Sequence, residues 1–554
     1  MRYTSTRGGT EELTFEEAVL RGLAPDGGLY IPTTIPDLPS NWETEWANLP
    51  YDELAFRILS LFIPDSEKEG GIPSEDLRKL VKKSYSTFRA SEVTPLKQLS
   101  EKQWCLELWH GPTFAFKDVA LQTLGNLFEY FLARKNAYLK PNEARHTLTV
   151  LGATSGDTGS AAIAGLRSKT DIDIYILFPK GRVSPIQEAQ MTTVLDENVH
   201  NLTLEGTFDD CQDVVKACFG DAQFNAKHHL AAINSINFAR ILSQIVYYFS
   251  AYFQFKKANS GSDAKIQFVV PTGNFGDILA GYYAKRLGLP TAGLVVATNE
   301  NDILQRFWAT GRYEKHDSSS EGSAQTAPAA GSSDGSQSAV GGVKATLSPA
   351  MDILVSSNFE RLLWYIALES QGKGNDASAR QAASKQVNQW MQDLKLTGRM
   401  TVSKEQLALA QRDFIAERVS DQQTKETILQ YFTAKPSSYL VDPHTAVGFN
   451  AANRVQSGDV VQIVLSTAHP AKFAEAVTSS LESANVPFDF EKDVLPKEMV
   501  GLLEKERRVE DVRLADAADS KGSTVDRLCQ ATRQVLDRNA QNSKKVSSQA
   551  LPSV

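Results

Sequence analysis

One lysine closes the aromatic-rich run Glu107-Leu108-Trp109-His110-Gly111-Pro112-Thr113-Phe114-Ala115-Phe116-Lys117-Asp118, just where helical patterning begins in DVALQTLGNLFEYFL. A lysine is ordinarily a solvated surface charge. Desolvation beside aromatic rings and the positive end of a helix would lower its pKa, and so make it a nucleophile able to form a Schiff base near neutral pH. Two glycine-rich turns could serve the same chemistry. In Pro271-Thr272-Gly273-Asn274-Phe275-Gly276-Asp277 the glycines permit a tight turn, and free amides at a helix start favour an anion such as phosphate. The competing reading is a plain helix entry capped by Asp277. If phosphate does bind, Asp277 is expected to offer its backbone N–H and to turn its carboxylate away. The second turn, Ala153-Thr154-Ser155-Gly156-Asp157-Thr158-Gly159, gathers hydroxyls ahead of a helix, suited to a carboxylate or phosphate or simply to capping.

These residues need a scaffold, and the flanking patterns supply one. HTLTVLG (146–152) alternates as a strand, meets the second turn, then the small-residue helix SAAIAGLRSK and a further strand, DIDIYILFP. That is a βαβ unit with its loop at the carboxyl end of a strand, where open α/β sheets bind ligands. IQFVV (266–270) enters the first turn and the helix DILAGYYAKRLG, with Gly288 as its C-cap, and VVQIVLST (460–467) begins a third unit. Repeated units of this kind imply an α/β fold with a largely parallel sheet. Residues 1–96 mix helical patterns with Pro/Gly turns and read as a small, mostly helical domain. Ser, Gly and Ala dominate 314–342, which is expected to be a disordered insertion, and a frayed tail is expected from about Asn539.

Composition bounds the rest. The 554 residues carry 58 Lys and Arg against 66 Asp and Glu, a net charge of −8, which disfavours a nucleic-acid or polybasic membrane surface. Cys105, Cys211, Cys218 and Cys529 have no CxxC or metal-type spacing and read as small core residues in a reducing compartment. The first residues lack the apolar stretch of a secretory signal, and the longest apolar run is about half a membrane span. A cytoplasmic protein is expected, with no metal, no membrane and no nucleic-acid partner. His228, His229, Asp209 and Asp210 read as surface helix residues. His110 reads as structural, and the aromatic run VYYFSAYFQF as a core helix.

Taken in order, ELWHGPTFAFKD, LGATSGDTG and PTGNFGD resemble the threonine synthase family, in its fungal and bacterial branch. APDGGLYIP, INSINFARILSQ (233–244), ATNENDIL, SPAMDILVSSNFERLL (348–363) and LSTAHPAKF (465–473) extend the resemblance over most of the chain to about residue 500. It implies a fold-type-II pyridoxal 5'-phosphate enzyme, tryptophan synthase β-like, with two open twisted parallel-sheet lobes and a mostly helical N-terminal domain. The implied division is 1–96 for the N-terminal domain, 97–145 with 240–505 for a large cofactor lobe, 146–239 for a small α/β lobe, and 506–554 for a C-terminal helical extension and tail.

The resemblance also implies roles. Lys117 would carry the cofactor as a Schiff base and then act as acid and base. Gly273, Asn274, Phe275, Gly276 and Asp277 would cradle its phosphate, and Thr467 would hydrogen-bond its ring nitrogen. Asp157 stands where many fold-type-II relatives have an Asn facing the cofactor's 3′ oxygen. Thr154, Ser155 and Thr158 match the loop for a substrate carboxylate, while Asn234, Ser235, Asn237 and Arg240 match a segment for the substrate's phosphate. Arg240 is either that phosphate fork or a surface charge. The implied reaction is that of a lyase, O-phospho-L-homoserine and water giving L-threonine and phosphate by γ-elimination and β-hydration, the last step of threonine biosynthesis in the aspartate family pathway. The protein would be a monomer or small homo-oligomer. A phospho-lyase of the same scaffold, releasing 2-oxobutyrate, is the alternative. A non-enzymatic nucleotide-binding protein is a distant one.

Overall fold

The strand Ile266–Pro271 that leads into the first glycine turn is an almost continuous apolar run, which requires cover on both faces and therefore a parallel sheet with helices above and below. The computed structural model describes residues 1–9, 11–140, 142–260, 262–315, 342–372, 374–436, 438–482, 486–517 and 523–549, with side chains to 541. The greater part of the expected insertion lies outside the described residues. The chain divides into two compact units, Met1–Leu124 with Ser235–Leu495, and Gly125–Asn234 with Pro496–Val554.

In the first unit six strands run in the order Phe414–Arg418, Gly293–Thr298, Ile266–Pro271, Val461–Ser466, Gln103–Glu107 and Leu96–Gln98. All neighbours are parallel except the last pair, which is antiparallel. Val269, Val295 and Val464 from three of these strands join Val447 and Phe449 of helix Pro443–Val455 in one apolar core. Residues 1–96, expected as a domain of their own, belong to this same unit. Helix Tyr51–Phe62 packs on helix Phe238–Ala258, the Tyr3 ring lies 5.3 Å from Phe238, and Arg361 Nε donates to the carbonyl of Tyr30 at 2.9 Å. The apolar faces of this segment find their partners more than 150 residues away in the sequence, beyond the reach of local patterning.

The second unit holds five parallel strands, in the order Glu510–Val512, Val199–Leu204, Ile172–Pro179, Leu148–Ala153 and Leu230–Ala232. The segment after 506 is thus more than an extension, because it adds an edge strand. Helix Thr524–Gln549 lays Leu528 and Val535 into the core formed by Leu177, Leu202 and Val214. This helix runs on through Gln549, past the point where a tail is expected. Among the described residues no helix is long and apolar enough to cross a membrane.

Candidate active site

The segment before Lys117 is fixed by its own side chains. Thr113 donates to Asp118 through its backbone N–H at 2.8 Å and its hydroxyl at 2.7 Å. Gly111 passes so close that a Cβ there would stand 2.4 Å from the Asp118 Cβ, which explains the glycine. Arg89 donates to the carbonyls of Gly111 and Pro112 and lies 3.7 Å over the Phe114 ring. The fully buried Lys472 donates to the carbonyl of Thr113 at 2.7 Å. Two backbone bonds then join this segment to the end of strand Val461–Ser466: Phe116 N–H to the Thr467 carbonyl at 2.8 Å, and His469 N–H to the Phe114 carbonyl at 3.1 Å. Lys117, the first residue of helix Lys117–Ala137, is buried, with its Nζ 4.9 Å from the centroid of the Phe116 ring. Burial holds His469 neutral, its pKa down to about 4, between the edges of Trp109 and Phe114. His110 stacks on Trp109 and bonds Glu107 at 2.7 Å, a structural position.

The turn 271–277 shows how a strand can present its amides. The carbonyl of Gly273 accepts from the Ser356 hydroxyl at 2.7 Å, and that of Asn274 accepts from the backbone and side chain of Asn358 at 3.1 and 3.0 Å. Ser357 holds the Asn274 side chain at 3.1 Å. With the carbonyls turned onto 356–358, the amides of Asn274, Phe275, Gly276 and Asp277 have no acceptor among the described residues. Phe275 sits in the left-handed region at φ 62°, unusual for a bulky residue, and is fixed there by rings of Phe359, Trp308 and Phe414 within 6.0 Å. A Cβ on Gly273 would meet the Ala350 carbonyl at 2.9 Å. The Asp277 carboxylate does turn away. Tyr247 and Tyr248 of the long aromatic helix donate to one of its oxygens at 2.6 and 2.9 Å, and the other oxygen has no partner. Burial raises Asp277 to about 6, against the two tyrosine bonds and the attraction of the Lys117 charge.

Arg240 is the sharpest departure from a surface reading. It is 4% exposed, and its Nε and Nη1 have no hydrogen-bond partner. Burial lowers its pKa to about 10. One helical turn on, Gln244 also has an unpaired Oε1, and it faces Gly276, where an ideal Cβ would lie 3.9 Å away. Ser235 and Ser357 share a hydroxyl contact of 3.1 Å beside this turn. Asn237, expected at the substrate phosphate, spends its side chain on the protein instead. It caps the helix by accepting from Ala239 N–H and donates to the carbonyl of Val19 at 2.8 Å. Thr467 is buried, and behind it the Thr445 hydroxyl accepts the Thr467 N–H while Asp442 holds both Thr445 and His444. Sequence reading missed Ser356, Ser357 and Asn358 as the latch of the cradle and the tyrosines as partners of Asp277. Only their place in SSNFERLL and in the aromatic run marked them.

In the second unit the Thr154 hydroxyl accepts the amides of Gly156 and Gly159 at 3.0 and 2.9 Å, which shapes the loop ahead of helix Asp157–Leu166. Asp157 is buried and accepts from Gln187 Nε2 at 2.8 Å. Ser155 is exposed, while Thr158 and Asn234 are half-buried. His228, expected on the surface, is buried and bonded to Asp537 at 2.6 Å, because helix Thr524–Gln549 covers it. Asp210 forms a capping box with Thr207.

A buried lysine, a cradle of unpaired amides and a buried guanidinium with two unpaired nitrogens in one unit fit a phosphorylated carbonyl compound. Comparison with known proteins agrees. Residues 2–85 match the family Threonine synthase N terminus, residues 88–351 the family Pyridoxal-phosphate dependent enzyme, and residues 445–522 Threonine synthase, C-terminal. The threonine synthase of Schizosaccharomyces pombe is 55% identical over 509 residues, covering 91% of this chain and 94% of the relative. The crystal structure of threonine synthase from yeast superposes with a TM-score of 0.84 at 48% identity, over 97% of this chain and 99% of that one. A pyridoxal-phosphate-bound threonine synthase from Brucella melitensis gives a TM-score of 0.78 at 38% identity, covering 96% and 100%.

Proposed function

Because the chain belongs to the threonine synthase family, we propose that it converts O-phospho-L-homoserine and water to L-threonine and phosphate in the cytoplasm, with pyridoxal phosphate held on Lys117. The observation that carries this reading is the presence, in the unit that holds the buried lysine, of two separate sets of unpaired donors: the amides of 274–277 and the Nε and Nη1 of Arg240. A reaction of a phosphorylated substrate on a phosphorylated cofactor needs two anion sites.

Pyridoxal phosphate supplies an electron sink that makes C–H bonds of an attached amino acid acidic. The protein does the rest. The Asn274–Asp277 amides hold the cofactor phosphate without adding a mobile charge. The Thr467 hydroxyl would be a neutral partner for the ring nitrogen. The Lys117 Nζ would hold the cofactor and would be the group that takes and returns the proton of the substrate's α-carbon. The Arg240 fork holds the departing phosphate, so that the γ C–O bond breaks toward a cation. For the substrate carboxylate and the cofactor's 3′ oxygen, the family resemblance assigns Ser155, Thr158 and Asp157 of the second unit.

The test is direct. Purified protein given pyridoxal phosphate and O-phospho-L-homoserine should release threonine and inorganic phosphate in equal amounts. Release of 2-oxobutyrate instead would move the assignment to a phospho-lyase.

A further inference from the structure

Apart from the residues assigned to the reaction, two cysteines far apart in sequence meet inside the second unit. Cys218 on helix Phe208–Gly220 and Cys529 on helix Thr524–Gln549 place their sulfurs 3.6 Å apart, although 311 residues separate them. A disulfide closes to about 2.05 Å, so a shift of roughly 1.5 Å, within reach of small side-chain rotations, would bring them to bonding distance.

A cation is held against the pair. Arg533, one turn after Cys529, donates to Asp221 at 2.8 Å and to the carbonyl of Ala217 at 2.9 Å, both at the end of the Cys218 helix. Its Nε is buried with no hydrogen-bond partner. The thiol–thiol hydrogen bond, and behind it the Arg533 charge, lower the pKa of Cys529 against the opposing effect of burial, and the same thiol bond together with burial raises that of Cys218. Two sulfurs in contact, with a guanidinium held beside them to stabilise a thiolate, is an arrangement in which a cysteine pair reacts with an oxidant. The remaining cysteines lack it, since burial pushes Cys211 and Cys105 up to about 12.

We propose that Cys218 and Cys529 are a reversible redox pair, oxidised by hydrogen peroxide to a disulfide that staples the C-terminal helix to the small sheet unit. The Cys529 thiolate attacks one peroxide oxygen, the O–O bond breaks, and the leaving hydroxide takes a proton to become water. The Cys218 sulfur then attacks the sulfenic sulfur. The S–S bond forms as the S–O bond breaks, and the second hydroxide leaves with the Cys218 proton as water. The two sulfurs lose two electrons and the peroxide gains them. A small dithiol reverses the change.

The experiment is a thiol and peptide map of the full-length holoenzyme. After hydrogen peroxide at neutral pH, the protein is denatured in alkylating agent and digested without reductant. The expected result is loss of two of the four free thiols, a linked peptide joining Cys218 to Cys529, and full recovery with dithiothreitol. Cys218→Ser should leave a sulfenic acid on Cys529 that dimedone captures, while Cys105→Ser and Cys211→Ser should leave the linked peptide unchanged. Four unmodified thiols, over-oxidised Cys529 with no linked peptide in the wild type, or a link through Cys105 or Cys211 would each overturn the proposal, and the wild-type map needs no variant to fold.

Discussion

The backbone N–H of Phe116 donates to the carbonyl of Thr467 at 2.8 Å, and this bond sets the lysine that follows Phe116 in register with the hydroxyl at the end of strand Val461–Ser466. Two residues 350 apart in sequence thereby share one frame. Because the bond is made by backbone atoms, replacing the Lys117 side chain leaves it intact.

Lys117→Ala is therefore expected to fold normally and still to bind inorganic phosphate. It should lose the visible absorbance band of the cofactor-loaded protein and at least about a thousandfold in turnover, as expected when an acid–base and nucleophilic group is removed. Absorbance spectra and circular dichroism on the same sample check both halves.

Arg240→Met separates binding from stability. A buried guanidinium with unpaired nitrogens is a cost to the fold, so the variant should melt at the same temperature as the wild type or above it. Its KM for the phosphorylated substrate should rise by about 30-fold or more, in line with roughly 2 kcal/mol or more for a charged, buried contact. A surface role for Arg240 would leave KM unchanged.

Asp277 should leave a mark on the pH dependence of apoprotein stability. Its folded-state pKa is raised to about 6, so the folded form binds a proton more tightly than the unfolded chain. Stability contributed by that proton is present below about pH 4 and is lost as pH rises through about 6, a fall of order 2–3 kcal/mol. Asp277→Asn keeps an oxygen for Tyr247 and Tyr248 to donate to, and should flatten this slope in urea titrations between pH 4 and 7.

Gly273→Ala places a methyl group 2.9 Å from the Ala350 carbonyl, and backbone on both sides must shift. A stability loss of about 1–3 kcal/mol is expected, with weaker cofactor retention measured by dialysis. A substitution at Gly181, which has open space around it, tests for generic glycine effects through its positive φ alone.

By itself the sequence determined the strand-to-helix turn at 266–287, the helix that starts at Lys117 and the βαβ unit of the second sheet. Each is written in local terms: apolar alternation, glycine at the turn, a cap at the end. It also determined, through the order of its motifs, the family and its cofactor. Only the tertiary structure decided what those residues face. Asp277 looked like a cap until Tyr247 and Tyr248 came to it from a helix about thirty residues earlier. Arg240 could be read as a surface charge or as a phosphate fork until helix Phe238–Ala258 proved buried along most of its length. Asn237 looked like a ligand until Val19 took its amide. The reason is physical. Local patterns are read from spacing along the chain, whereas burial and charge pairing depend on which distant segments dehydrate one another, and that sum is settled only when the whole core closes.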